Sequence, residues 1–418
     1  MLSIKGTKFY INGKETYSEI SNCPEKMRGT LMNARFIQGI FDVRENREQF
    51  DRFGKKFDPE QNTDDLIKAL PEWYAHGMRA FTVGLQGGGP CFTSKEMPLF
   101  MNNPYGTDGK TLDEKYANRL LRLISAAQEL GMVVIVSLFY MNQYMYLESD
   151  EAIRNAVATV SRFLKNSGYQ NVIIEIVNEQ NLKEFKECPL LYTDDGIIEL
   201  MELARKKSGG MPVGCSGGGN YFSERIGKAS DVVLIHGNGL LYEGVKKMIK
   251  RVKEAVPDKP IVMNEDSSLL RNMTACVEEG ISWGYYNNIS KQEPPADWRI
   301  LNNEDTFFAY HMAKAVGIEV EEPAEEFIFC GLEEKEMFYG HAWPRVACLH
   351  EEEIESISYY RNEELVECVT VEPFAVHQQG TWLWHGISDV CPGEMWEAVI
   401  AKKNGEMVRL QKRVGSSL

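Results

Sequence analysis

Two short apolar runs of this sequence each end in an Asn-Glu pair. The first run covers residues 172–179 and ends in Asn178-Glu179, and the second covers residues 260–265 and ends in Asn264-Glu265. A carboxylate at the end of a buried strand is held rigidly and faces the mouth of a pocket, where acid/base chemistry requires it. The two glutamates, Glu179 and Glu265, therefore predict a catalytic pair.

The chemistry that suits such a pair is the hydrolysis of a glycosidic bond. With retention of configuration it needs two carboxyl groups about 5 to 5.5 Å apart, one to protonate the leaving oxygen and one to attack the anomeric carbon. A single Asn-Glu pair at a strand end is typical of an ordinary polar loop. Two pairs at matching strand positions favour catalysis.

The elements around these pairs alternate between strand and helix. Eight such units follow one another from about residue 28 to residue 318, and their strands are apolar and rich in Val and Ile. This pattern predicts a parallel sheet covered by helices. Eight units favour a closed (β/α)₈ TIM barrel over an open doubly wound sheet, with the active site at the carboxyl ends of the strands. Glu179 then ends strand four and Glu265 ends strand seven.

Three segments are predicted along the chain. Residues 1–22 form an N-terminal β-hairpin, because Asn12-Gly13 suits a type I′ turn between alternating segments. Residues 23–320 form the barrel, and residues 321–418 read as a small C-terminal antiparallel β domain, similar to a β-sandwich. Trp382 and Trp384 in that last segment face the same side of a strand. They either fill its core or stack on sugar rings.

Composition limits the partners and cofactors. The 418 residues carry a formal charge of −15, which disfavours nucleic acid and anionic membranes. No run approaches the roughly 20 apolar residues of a membrane span, and the first residues resemble no secretory signal, so we expect a cytoplasmic protein, or a secreted one if a signal was removed. Nine cysteines without a Cys-x-x-Cys pair predict reduced thiols. We expect no metal and no organic cofactor; the oligomeric state stays open.

The segment Ile-Glu-Ile-Val-Asn-Glu at residues 174–179 resembles the strand-four signature of the clan A retaining glycoside hydrolases, the cellulase-like, family 5-like (β/α)₈ group. The resemblance covers about residues 28–318. It implies that Glu179 is the acid/base, Glu265 the nucleophile and Asn178 a ligand of the sugar 2-OH, with Trp283 as the floor of the central subsite. It also implies retaining cleavage of O-glycosidic bonds, mostly β-type, in a glycan or oligosaccharide.

The sequence departs from that group late in strand two. Thr82 occupies the position where the group usually places an arginine near the nucleophile. Arg35 on strand one and Arg79 are the candidates to supply the missing charge. Glu175 lies four residues before Glu179 and so faces the interior as well, where it needs a partner. Arg35 is its predicted partner.

Further polar and aromatic residues follow the strands and could bind a sugar. His236 ends strand six, where an imidazole could bond Glu265 or a sugar hydroxyl. The other predicted substrate-binding residues are Asn238, Tyr285, Tyr140, Asn142, Gln86 and Asn220.

Two other functions compete with the glycosidase. One is a carbohydrate-binding barrel that has lost catalysis, which the altered strand two suggests. The other is a serine esterase, because Gly214-Cys-Ser216-Gly-Gly218 matches the Gly-x-Ser-x-Gly pattern, with the glycines after Gln86 as an oxyanion loop. The glycines after Ser216 make a poor start for the helix that such a serine requires.

Overall fold

The computed structural model of the chain describes residues 1–43, 47–51, 56–87, 102–292, 294–333, 336–337, 341–378 and 386–415. The strands are β1 (Leu2–Lys5), β2 (Lys8–Ile11), β3 (Lys14–Glu15), β4 (Asn33–Arg35), β5 (Ala80–Gly84), β6 (Val133–Phe139), β7 (Val172–Val177), β8 (Val213–Gly214), β9 (Val233–His236), β10 (Ile261–Glu265), β11 (Gly284–Tyr285), β12 (Phe327–Cys330), β13 (Arg345–Cys348), β14 (Ile354–Arg361), β15 (Glu364–Val369), β16 (Met395–Lys402) and β17 (Met407–Arg413). The α-helices are α1 (Pro59–Ala75), α2 (Glu114–Leu130), α3 (Asp150–Ser167), α4 (Pro189–Tyr192), α5 (Asp194–Ser208), α6 (Glu224–Ala229), α7 (Tyr242–Ala255), α8 (Leu270–Glu278), α9 (Asn288–Lys291) and α10 (Glu304–Ala315).

The central sheet is parallel, as the α/β pattern predicts. Six strands pair in the order β11-β4-β5-β6-β7-β8, and β9 pairs with β10 in a separate parallel ladder. A parallel bridge from Val262 to Ser282 connects β10 to the segment before β11. Between β8 and β9 the described residues form no ladder, although the Asp231 amide donates to the Val213 carbonyl at 2.8 Å.

Helix α3 shows how local sequence sets these elements. Ser149 caps its start by accepting from the Ala152 amide, and Gly168 ends it at a φ of 79°, a conformation that costs glycine little. Its buried face, which includes Val157 and Leu164, belongs to the main hydrophobic core. The helix leads directly into β7, the strand that precedes Glu179.

The N-terminal strands cover the amino ends of the parallel strands. Asn12 and Gly13 both have positive φ, 52° and 78°, in the turn between β2 and β3, as the Asn-Gly pair predicts, and β1 adds a third strand to this sheet. Leu2 and Phe9 pack in one cluster with Leu31, where the chain enters the parallel sheet. The carboxyl ends of the parallel strands are left at the opposite side.

The C-terminal residues are antiparallel. β12 pairs with β13, and four strands form a sheet in the order β15-β14-β16-β17 around a second core that includes Ile357 and Trp396. Arg345 in this part forms a buried ion pair with Glu304 at the start of α10. Trp382 and Trp384 lie outside the described residues. None of the described helices is long and apolar enough to cross a bilayer.

Candidate active site

Glu179 and Glu265 meet at the carboxyl ends of two parallel strands. Glu265 is the last residue of β10, and Glu179 follows β7 by two residues. One side-chain oxygen of each glutamate and one ring nitrogen of His236 all lie within 4.8 Å of one another. The Glu179 side chain is 15% exposed and that of Glu265 is 7% exposed, so both carboxylates are mostly buried but remain accessible to solvent.

Two neighbours hold the Glu265 carboxylate. The Arg35 Nε lies 2.5 Å from Glu265 Oε2, and the Asn238 amide donates to Glu265 Oε1 at 2.7 Å. The guanidinium therefore balances the negative charge of Glu265, while the neutral amide fixes its second oxygen. Of the two arginines considered from the sequence, Arg35 is thus the one that places a positive charge beside Glu265. Arg79 does not, because its guanidinium pairs with Glu19 and lies over Tyr74.

Arg35 also binds Asn178. Its Nη2 donates to Asn178 Oδ1 at 2.6 Å. The backbone N–H of Asn178 donates to the Phe139 carbonyl at the end of β6. Burial would lower the pKa of Arg35, but the charges of Glu265 and Glu175 outweigh it and raise that pKa above its usual value. One cation on β4 therefore links the Asn178-Glu179 turn to the Glu265 carboxylate.

His236 contacts both glutamates. Its Nδ1 lies 3.0 Å from Glu179 Oε1 and 3.7 Å from Glu265 Oε2, and its side chain is completely buried. Burial lowers the pKa of His236, but the charge of Glu265 and the hydrogen bond to Glu179 outweigh it, so the pKa is raised above 6.5. The imidazole can therefore donate a hydrogen bond to one carboxylate, and its pKa depends on the charge of both.

Glu179 is held in a tight turn. Its φ is 57°, which is uncommon for a residue with a side chain, and its amide donates to Ser216 Oγ at 3.1 Å. Ser216 is fully buried and binds this backbone instead of a histidine, and α6 starts only at Glu224. The structure therefore contradicts the hypothesis that the Gly-x-Ser-x-Gly pattern belongs to an esterase. The serine instead stabilises the turn that carries Glu179.

The predicted ion pair between Glu175 and Arg35 is wrong. The fully buried Glu175 accepts from the Asn264 amide, Nδ2 to Oε1, at 3.1 Å, while Arg35 pairs with Glu265. The pairing of β10 with β9 shifts between Met263 and Glu265, so consecutive residues, Asn264 and Glu265, both reach partners inside the sheet. Strict alternation along the strand does not allow this.

The predicted substrate contacts of Trp283 and Tyr285 are also corrected. Trp283 is 0% exposed and its indole N–H donates to Asp266 at 2.8 Å, while Tyr285 donates to Asp305 and stacks on Phe308 of α10 at 4.1 Å. Both rings therefore pack against the outer helix layer.

Tyr286, which is not among the residues predicted from the sequence, faces the site instead. Its ring centroid lies 5.7 Å from the Arg35 guanidinium. Burial raises the pKa of Tyr286 well above its usual value, and the charge of Glu265 adds to this. The signal was available in strand alternation, since residue 286 lies on the opposite face from residues 283 and 285.

Asp266, next to Glu265, points away from the two glutamates. Its carboxylate accepts from Trp283, from Asn272 at 3.3 Å and from Ser267 at 3.2 Å. Burial raises its pKa to about 7 in spite of these hydrogen bonds.

The remaining predicted substrate-binding residues separate into three groups. Tyr140 is buried near the glutamates, whose charges add to the effect of burial in raising its pKa well above 10. Gln86 is fully buried and binds Asn103 and the Gln143 carbonyl, so it fixes loops and does not face a ligand. Asn142 is half-buried and Asn220 is exposed, and both have a φ of 63° in loops at this edge.

Glu179, His236 and Glu265 lie close enough together to hold a metal ion, which the sequence did not lead us to expect. Each offers one ligand atom. A cation there would compete with the Arg35 guanidinium, which already lies 2.5 Å from Glu265. The positive charge of Arg35 therefore favours a metal-free arrangement of these donors.

No protein-family profile matches the sequence, and no curated protein matches it. Among solved structures, the chain is similar to the exo-β-1,4-mannosidase Op5Man5 from Opitutaceae bacterium strain TAV5, with 13% identity, a TM-score of 0.49, and coverage of 75% of this chain and 62% of that one. It is also similar to the endo-1,4-β-mannanase of Rhizomucor miehei, with 14% identity and a TM-score of 0.47. That alignment covers 76% of this chain and 99% of the mannanase. Against β-glucuronidase 2 of Bacteroides uniformis the identity is 11% and the TM-score 0.44; the alignment covers 99% of this chain but 48% of the glucuronidase.

Proposed function

We propose that the chain is a retaining O-glycosidase that cleaves β-type bonds of a glycan or oligosaccharide. The observation that carries this proposal is the approach of Glu179 and Glu265, whose nearest oxygens lie within 4.8 Å at the carboxyl ends of β7 and β10. Double displacement uses carboxyl groups about 5 to 5.5 Å apart, whereas inversion needs about 6.5 Å or more to admit a water. The proposal includes a closed (β/α)₈ barrel and a separate β domain at residues 321–418.

In this mechanism Glu265 attacks the anomeric carbon. Arg35 and Asn238 hold its two oxygens and orient it toward the sugar. Glu179 protonates the leaving oxygen, and its turn and its bond to His236 fix its direction. A glycosyl ester forms on Glu265 and the aglycone leaves. Glu179 then takes a proton from the water that releases the sugar.

Trapping of the intermediate tests this mechanism. A 2-deoxy-2-fluoro glycoside with a good leaving group slows both steps, so it should leave a covalent ester in the peptide that contains Glu265. Glu265→Gln should abolish labelling, while the matched neighbour Asp266→Asn should mostly preserve it. A label elsewhere, or product with inverted configuration, contradicts double displacement.

The second candidate is a carbohydrate-binding barrel without catalysis. The unusual source of the positive charge, Arg35 on β4 in place of an arginine at position 82, favours this alternative. A screen of aryl glycosides separates the two. Cleavage that Glu179→Ala removes, and that azide restores by attacking the glycosyl ester and releasing a glycosyl azide, excludes a pure binding role. Binding of the same sugars with no turnover excludes the glycosidase.

A further inference from the structure

Helix α8, which follows the strand of Glu265, has no capping side chain of its own. Its N-cap residue is Leu269, no local side chain bonds its first amides, and its first turn contains no acidic residue. In contrast, Asp58 caps α1 and Asn303 caps α10. The first amides of a helix have no partner within the helix and attract a negative charge.

The C-terminal β part supplies the missing cap. Glu351, in the turn that precedes β14, accepts from the Arg271 amide in the first turn of α8, N to Oε2, at 3.0 Å. The Arg271 side chain donates to Glu372 at 2.6 Å, so a second acid from the same part of the chain holds the same turn. Two contacts thus tie the start of α8 to the antiparallel strands.

The start of α8 is in turn connected to Glu265 by a short series of hydrogen bonds. Asn272 of α8 donates to Asp266, the residue directly after Glu265, at 3.3 Å. The Leu269 amide donates to Ser267 Oγ at 3.2 Å, and the Tyr286 amide donates to the Ser267 carbonyl at 3.0 Å. A displacement of α8 would therefore move the loop that directly follows Glu265.

We propose that Glu351 is a positioning residue for Glu265, acting through the cap of α8 and the loop at residues 266–269. The proposal rests on the proposed function of Glu265 as the nucleophile. It gives the C-terminal β part a role in catalysis, because that part fixes the geometry of a carboxylate that it does not touch. Misplacement of a reacting group by about 1 Å costs on the order of 100-fold in rate.

Three variants test the role of Glu351. Glu351→Ala removes the acceptor, Glu351→Gln keeps a carbonyl oxygen for the Arg271 amide, and Glu352→Ala removes a neighbouring carboxylate that is 61% exposed and lies 3.6 Å from His350. We expect Glu351→Ala to lower kcat and the rate of labelling by the fluoro glycoside about 10-fold or more, with a smaller change in KM. Glu351→Gln should recover most of the loss, and Glu352→Ala should match the unmodified protein.

The NMR titration of His236 provides a readout that requires no turnover. Because Glu265 helps to raise the pKa of His236, a displaced carboxylate should lower that pKa in Glu351→Ala and leave it unchanged in Glu352→Ala. A lower melting temperature with unchanged kcat and unchanged His236 titration would overturn the proposal, since Glu351 would then only stabilise the fold.

A failure of the proposed function remains distinguishable from a failure of this inference. If the unmodified protein cleaves no glycoside, the glycosidase is excluded, and the His236 titration alone decides whether Glu351 positions Glu265. If Glu351→Ala does not fold, Glu351→Asp, which withdraws the carboxylate by one methylene, replaces it in both measurements with the same expected direction.

Discussion

Arg35 is the side chain on which the arrangement of the candidate carboxylates depends. It is 1% exposed, pairs with Glu265 and donates to Asn178, so it connects β4, which carries it, to the end of β10 and to the residue that follows β7. A buried ion pair stabilises little by itself, but removal of one partner leaves an uncompensated charge. The site therefore tolerates changes at Glu175, which has a neutral partner, better than changes at Arg35.

A pair of conservative substitutions tests this difference. Arg35→Gln should lower the free energy of unfolding by about 3 to 5 kcal/mol, because Glu265 is left buried without its counter-charge. Glu175→Gln keeps an oxygen for the Asn264 amide and should cost about 1 kcal/mol. Urea unfolding measures both values. Equal losses in the two variants would show that Glu175 balances the charge of Arg35 as much as Glu265 does.

The titration of Asp266 predicts a pH effect on stability. Burial raises its pKa to about 7, whereas an unfolded chain has an Asp pKa of about 3.9. Between these values the folded state binds a proton that the unfolded state does not, so the contribution of Asp266 to stability is present at low pH and is lost as the pH rises toward 7.

Asp266→Asn removes this titration and serves as the comparison. The unfolding free energy of the unmodified protein minus that of Asp266→Asn should fall between about pH 4 and pH 7 and level off above. Urea titrations across that range measure it. A difference that stays constant or increases with pH would show that Asp266 is already ionised in the folded protein at low pH.

At the scale of elements, the loops after β8 and β9 fit against each other through glycine. A Cβ on Gly219 would lie 1.9 Å from the Asn238 carbonyl oxygen, and Asn238 is the residue that holds Glu265. Gly219, which directly follows the glycines of the esterase-like pattern, is therefore required by close packing beside the candidate site.

Gly219→Ala should displace Asn238 and lower activity on glycosides at least 10-fold, with a loss of stability of about 1 to 3 kcal/mol typical of overpacking. The matched control is Gly244→Ala in α7, whose new Cβ would have the flexible Leu240 side chain as its nearest neighbour, at 3.1 Å. Kinetics and thermal unfolding of both variants check the prediction. Unchanged activity in Gly219→Ala would mean that Asn238 does not orient Glu265.

At the scale of the whole molecule, stability and chemistry occupy opposite ends of the parallel strands. Phe9 is 1% exposed and packs with Leu31 and Val133 at the amino ends, while Glu179 and Glu265 lie at the carboxyl ends. Phe9→Ala should therefore lower the free energy of unfolding by about 3 to 5 kcal/mol without changing the kcat measured for the folded protein. Tyr10→Ala, on the partly exposed face of the same strand, should cost much less. A fall in kcat for Phe9→Ala at a temperature where it is folded would contradict this separation.

Much of this architecture could be predicted from sequence because it depends on local patterns. Apolar strands alternating with amphipathic helices predicted the parallel α/β sheet, and Asn12-Gly13 predicted the turn between β2 and β3. The two Asn-Glu pairs at strand ends predicted that Glu179 and Glu265 lie at the same edge of the sheet, since parallel strands place their carboxyl ends together. The change to short alternating segments after residue 320 predicted the antiparallel strands.

The tertiary structure alone decided which polar groups meet. The sequence left Arg35 with two possible acids, Glu175 and Glu265, and the irregular pairing at the end of β10 settled the choice by turning both Asn264 and Glu265 inward. Likewise, strand alternation leaves two possible faces for residues 283–286, and the fold buries Trp283 and Tyr285 against α10 and turns Tyr286 to the site. Side-chain direction has a period of two residues along a strand, so a shift too small to alter the sequence pattern reverses which residues face the ligand.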